Sequence, residues 1–250
     1  MKKFELTGEQ KCSYGKILFR IKALKPFGNV VAGQTGGWVE KEENLSQEDN
    51  AWVSDDAVVK DNAVVSGDAV VEGDTVVSDD AVIKGNAIVG DNAVVSGDTI
   101  VGGNARVIGN ALVSDDAVVK DNAVVSGDAI VKGNAAVSGN ARVIGDAVVG
   151  GNARVIGNAW IKDGAVIKGN AVVSGDADYA LIRGFGTAFR TTTFFRCYDD
   201  KIRVSCGCFF GTISEFREQV KKTRSGKIVE EYLAIADLME KHFEKEENHG

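Results

Sequence analysis

Between Val53 and Asp178, apolar and polar positions follow a six-residue clock. Every sixth residue from Val53 through Val173 is Val or Ile, twenty-one in succession without an insertion, and only Ile83, Ile161 and Ile167 depart from Val. Four positions after each stands Ala, replaced by Thr only at Thr75 and Thr99. The two positions before that Ala are drawn from Gly, Asp and Asn. A six-residue period has no match to a 3.6-residue turn, so helix is excluded in this span. In a segment such as Ala63-Val64-Val65-Ser66, side chains alternate as on a strand: Ala and the hexad's first Val point one way, the preceding Val and the Ser the other. Gly, Asp and Asn tolerate the left-handed backbone that a sharp corner needs. Each hexad is therefore predicted to be one short strand plus one corner. Three hexads close a triangle, and triangles stacked at a strand spacing of about 4.8 Å give a prism of roughly 34 Å over seven coils. The inward Val and Ala form its core, with small Ala near the corner.

The flanks lose the clock. Gln47–Trp52 (QEDNAW) reads as a degenerate leading hexad. "KILFRIKAL" (Lys16–Leu24) is strand-like, and Gly28–Gln47 holds a glycine turn, a strand with Trp38 and an acidic approach to the repeat. Stacked repeats need end caps, so residues 1–46 are expected to be an N-terminal β cap, 47–178 the β-helix and 179–250 a separate module. In that module "TTTFFRCYDDKIRVSCGCFFG" predicts a hairpin turning at Asp199–Asp200. Thr212 and Glu215 form a capping box that starts a helix. A second helix is expected from Lys227 to Glu244, with Ile228, Tyr232, Ile235, Met239 and Phe243 as its apolar stripe. The result is a ββαα unit docked on the last coil.

The pattern V-x-G-[DN]-A-x, seen in "VGDNAV" (Val89–Val94), resembles the hexapeptide repeat of left-handed parallel β-helix proteins. The resemblance covers Val53–Asp178, half the chain. It implies a mainly-β fold: a left-handed parallel β-helix of about seven coils, capped by N-terminal strands and followed by a small α/β module. The leader "LFRIKALKPFGNVVAGQTGGWVEKEENLSQEDNAWV" resembles that of hexapeptide-repeat proteins of bacteriophage and prophage genomes, which are often labelled transferases by fold alone. That second resemblance implies a phage-encoded protein of the bacterial cytoplasm. Fold analogy is not evidence of chemistry.

The best-known hexapeptide-repeat enzymes are acyltransferases, which use a histidine base near a coil junction and often an extruded loop. Others resemble carbonic anhydrase and need three histidines for a metal. Here Val53–Asp178 holds no His, no Cys and no inserted loop, and the two histidines are His242 and His249. No catalytic residue, cofactor or metal ligand is therefore assigned to the rod. The reading is a non-enzymatic scaffold or interaction protein. The alternative is an acyltransferase-like enzyme with atypical residues.

Charge refines this only slightly. The chain carries −7, whereas the repeat holds 9 Lys/Arg against 18 Asp/Glu, a net of −9. Such a rod disfavours nucleic acid as a partner, and could imitate it. Corner carboxylates such as Asp55 with Asp74, or Asp79 with Asp98 and Asp116, suit turn chemistry better than cation binding. From Arg183 to Lys227 ten Lys/Arg face four Asp/Glu, with phenylalanines interleaved, but no nucleic-acid motif is present. No apolar stretch is long enough for a membrane helix, and no apolar h-region follows the N-terminal lysines. Four cysteines without a framework fit a reducing cytoplasm. Cys206-Gly207-Cys208 with Cys197, and His242 as a fourth group, is a candidate redox or metal cluster; buried core thiols are the other reading.

The outward row of one face stands apart. Val58, Val76, Val94, Leu112, Ile130, Val148 and Val166 are all aliphatic, and Ile108 and Ile144 are expected to add to them. The second row contains Ala136 and Arg154, and the third Arg106, Arg142 and Trp160. A contiguous apolar strip rarely faces water in a monomer. It is expected to pack against copies of the chain, a trimer being favoured, against a host protein, or under the chain's own terminal segments. A 17-residue string, VSDDAVVKDNAVVSGDA, occurs at Val53 and again at Val113. Ten hexads separate the copies, so they fall on different faces, as suits a scaffold rather than a tuned site.

Overall fold

The structure is a computed structural model, described here over residues 2–244. Twenty-one two- or three-residue strands, β4 to β24, run from Trp52–Val53 to Val172–Val173. They sort into three parallel sheets with every strand bonded to those one coil before and after, for example Val94↔Leu112 and Val95↔Val113. Every inward Val or Ile from Val53 to Val173, and every inward Ala or Thr from Ala57 to Ala171, is fully buried, whereas Ala177 after the last of them is exposed. The expected three-sided solenoid is thus the fold of this span.

The corners work as the composition requires. The third hexad residue is Gly or Asp at all twenty corners from Asp55 to Gly169, and each has positive φ, such as +55° at Asp55 and +71° at Gly73. This is the left-handed region that only Gly and, at modest cost, Asp or Asn enter routinely.

The stack exceeds the clock by one turn. Three antiparallel or parallel neighbours open the molecule: β1 (Phe4–Ser13), β2 (Lys16–Ala23) and β3 (Thr35–Val39). β1 and β2 form a hairpin through Tyr14 and Gly15, both at positive φ. β3 then pairs in parallel with the first face, Trp38↔Val58, and Leu45 bridges to Val65. Both offsets are twenty residues instead of eighteen, so this leading coil, which brings the solenoid to about eight turns, is two residues longer than the others. Lys3 closes its open end. The side chain is buried, and Nζ donates to Ala51 O at 2.9 Å and Glu48 O at 3.0 Å. Burial pushes its pKa down to about 8.

The C-terminal module is ββββαα, not the ββαα expected. β25 (Tyr179–Phe185), β26 (Arg190–Arg196), β27 (Ile202–Cys206) and β28 (Phe209–Thr212) make one antiparallel sheet. α1 (Ile213–Thr223) and α2 (Lys227–Phe243) pack on it around Phe194, Val204, Phe216 and the α2 stripe. β26 and β27 flank the expected turn, and the capping box is present, with Thr212 Oγ1 accepting from the Glu215 N–H at 3.2 Å. The module seals the prism. Phe195 is fully buried in the rod's core, Cys197 bridges to Ala171, and the Tyr198 N–H donates to Asn170 O at 3.0 Å.

Candidate functional site

The all-aliphatic row lies on the first face, in register from Val58 to Val166 through unbroken parallel pairing. Its first member is not available. Val58 is buried with Leu18 and Trp38 beneath the β1–β2 hairpin, and Lys11 and Arg20 lie over the Trp38 ring at 4.4 and 4.8 Å. Past the hairpin, Val76, Leu112, Ile130, Val148 and Val166 are half-buried and Val94 is 36% exposed. Stacked neighbours at strand spacing shield one another, so partial burial here needs no partner.

Ile108 and Ile144 do not join this row. Ile144 ends the strand Arg142–Ile144 and pairs with Ser126 on the third face, and the Ile108 N–H donates to Val125 O on that same face. The second hexad residue follows the inward Val before the corner is turned, so it stays on the face just traversed. Both isoleucines sit beside the corner that leads into the first face.

Many corner polar side chains are bonded between coils, although those of Asp74, Asp98 and Asp116 are not among them. Five corner aspartates accept the N–H of the glycine one coil further on: Asp55 from Gly73 at 3.2 Å, Asp79 from Gly97, Asp91 from Gly109, Asp115 from Gly133 and Asp121 from Gly139. At the fourth hexad position an amide ladder runs Asn86→Asn104→Asn122→Asn140→Asn158 at 2.9 to 3.1 Å. These bonds support the turn reading of the corner carboxylates. Among the described residues no group of three His, Cys, Asp or Glu side chains is arranged to hold a metal.

The three C-terminal cysteines are not brought together. Cys197 is buried at the rod joint, beyond the Arg196↔Ile202 pair that ends the β26–β27 ladder. Cys206 lies four pairs away opposite Thr192, and Cys208 is exposed in the following turn. All are free thiols, and burial pushes that of Cys197 up to about 11, which keeps it protonated and unreactive at neutral pH. A turn at Gly207 separates Cys206 from Cys208, so they are not alternate residues of one strand. His242 is exposed, its ring edge-on to Phe243 at 4.9 Å, and His249 lies outside the described residues.

Cavities occur in the module and at its joint with the rod. One of about 400 Å³ lies between the start of α1 and the end of α2, lined by Arg196, Ser214, Glu240 and Phe243. Another of about 280 Å³ at the joint is lined by Asn170, Cys197, Arg203 and Phe210. The first also has Lys201, Thr212, Asp200 and Glu244 in its wall, and the second Tyr198 and Asp199. No described helix is long and apolar enough to cross a membrane.

These features define a capped, three-sided β-solenoid repeat protein with an appended α/β module. Residues 135–151 match the family model described as the YdcK β-solenoid repeat. The chain is 38% identical over 63 residues to the "Uncharacterized acetyltransferase YdcK" of Escherichia coli K12, a match covering 22% of this chain and 19% of that protein. The matched region thus spans about a fifth of the length of that relative. A Bacillus cereus crystal structure, the product of the BC4754 gene and provisionally named an acetyltransferase, aligns at 14% identity and a TM-score of 0.23, covering 68% of this chain and 92% of that one.

Proposed function

We propose that this chain is a non-enzymatic interaction protein: a rigid rod that self-associates along its first face, as a trimer, and holds the C-terminal module at a fixed position. The observation that carries this reading is the first face itself. From Val76 to Val166 its outer row contains no polar residue, whereas the other two faces are interrupted by arginine. Some corners support it too, since carboxylates such as Asp55 and amides such as Asn104 are engaged in ladder bonds between coils. A host protein on the same face is the heterologous form of this reading, and the leader's resemblance suits a phage product acting in the host cytoplasm.

Sedimentation equilibrium tests it. The wild-type chain is expected at three times its 26.4 kDa mass, and Ile130→Glu at the monomer mass. An unchanged mass in the variant, or a wild-type monomer that captures no partner, contradicts the reading.

The comparisons favour the second reading, acetyl transfer, because the relatives they find carry acetyltransferase names. A base would then have to come from outside the histidine-free rod, or from a carboxylate in a cleft between copies. Calorimetric titration with acetyl-coenzyme A separates the two. Saturable binding supports the enzyme, and none is expected for the scaffold.

A further inference from the structure

The C-terminal module holds a cleft that the scaffold reading leaves unused. Three connections meet there: residues 186–189 between β25 and β26, the Gly207 turn, and the α1–α2 link at Arg224. They are tied together. The Tyr232 hydroxyl donates to Phe185 O at 3.1 Å, and Thr192 Oγ1 donates to Cys206 Sγ at 3.1 Å. The Arg190 guanidinium lies directly over the Gly207 turn, where an added Cβ would fall 2.5 Å from Nη1.

Two adjoining cavities of about 190 and 290 Å³ share Arg190, Cys206, Arg224 and Tyr232. None of the residues lining either is acidic. Arg196, Arg203 and Arg217 of the same module each find a carboxylate. Arg190 and Arg224 have no ion pair among the described residues, and Arg224 makes one long bond, 3.4 Å, to Thr223 O. The floor is aromatic: Phe209 packs on Phe216 at 5.5 Å, and Phe216 stands edge-on to Tyr232 at 5.7 Å. Phe189, in the adjoining connection, is 65% exposed and held at φ +48°. Bulky residues seldom adopt that conformation without a functional or structural constraint.

We propose that this cleft binds a small phosphate monoester, its dianion held between Arg190 and Arg224 and its apolar body resting on Phe209 and Phe216. Two planar, always-charged guanidinium groups match the charge and fork geometry of a phosphate. The apolar floor with a few convergent polar groups is the usual make-up of a small-molecule site. Each cavity alone lies below the roughly 300 Å³ at which pockets for drug-sized molecules start, which favours a ligand of one ring or a short chain.

The test is calorimetric titration of the full chain with phenyl phosphate, with benzyl alcohol as the neutral probe. One saturable site for phenyl phosphate is expected, with affinity at least about tenfold weaker in Arg190→Gln and in Arg224→Gln, as loss of one charge-assisted contact implies. Both side chains are exposed, so the unfolding midpoints should stay put. Saturating phenyl phosphate should also slow alkylation of Cys206 and Cys208 by iodoacetamide and leave exposed Cys12 on β1 unaffected. Absence of saturable binding, equal binding of benzyl alcohol, undiminished affinity in both variants, or equal protection of Cys12 overturns the proposal.

Discussion

The rod and the C-terminal module solve the same problem, burying enough apolar surface, in opposite ways. The rod repeats one solution: each hexad delivers one Val and one Ala to a narrow core, and each corner is bonded to the next. Its stability is a sum of near-identical nearest-neighbour terms, and its core and corners vary little from coil to coil. The module uses each residue once. Phe194, Phe216, Tyr232 and Met239 meet from three different elements, and irregular packing leaves clefts. The difference teaches where specificity can reside: a periodic shaft offers surface and length, whereas an aperiodic cap offers a shaped site.

Substitutions at four positions sharpen this contrast. The largest effect is expected for Val107→Asp, which places an unpaired carboxylate in the rod core at the cost of about 4 kcal/mol. Equilibrium denaturation should show the loss, and circular dichroism should show the helices of the module surviving the rod's transition if the two units are energetically separate. Next comes Phe195→Ala. This side chain belongs to the module's sheet but fills the rod's last coil, so truncation should cost about 3 kcal/mol. Hydrogen exchange should rise first near Val166 and Val172; uniform loosening would argue against a plug.

A smaller effect is expected at the α1 cap. Thr212→Ala should cost about 1 kcal/mol, read from the denaturation midpoint. The Thr212 backbone N–H and hydroxyl also hold the Glu215 carboxyl below its ordinary 4.5. A carboxyl lowered in the folded state stabilises it above the unfolded pKa, and that contribution is lost as pH falls below about 4.5. The variant should therefore show a shallower loss of stability in acid. The smallest effect belongs to Asn122→Ala, mid-ladder and exposed, at no more than about 0.5 kcal/mol. A larger loss would mean that the amide ladder, and not only the Val–Ala core, holds the coils together.

Legibility in the sequence follows the same divide. The hexad exposes its geometry because one residue type is demanded at each slot, so core, corners and faces could be assigned by counting. Counting failed where the slot lies near a corner. Ile108 and Ile144 were expected on the first face, yet an outward residue before the bend belongs to the face behind it. It also failed where the clock slips: the two extra residues between Leu45 and Val53 hide the leading coil. β1 is hidden in the sequence because a bulge between Leu6 and Gln10 breaks its alternation. β25 is masked because it begins directly after the last hexad. In the module, no pattern announces that Arg190 and Arg224 meet, since 34 positions of unrelated sequence separate them. The covering of Val58 was foreseen only as one of several fates for the whole row.

The central claim is that the three outer faces are not equivalent and that the first is an interface. Residue-resolved carbene footprinting of the wild-type chain, at assembling concentration and after dilution, tests it most directly. The account predicts that Val94, Leu112, Ile130 and Val148 are protected relative to Val82, Ile100 and Val118 on the second face, and that dilution removes the difference. Equal labelling of both faces at every concentration would contradict it and leave the first face an ordinary solvated sheet.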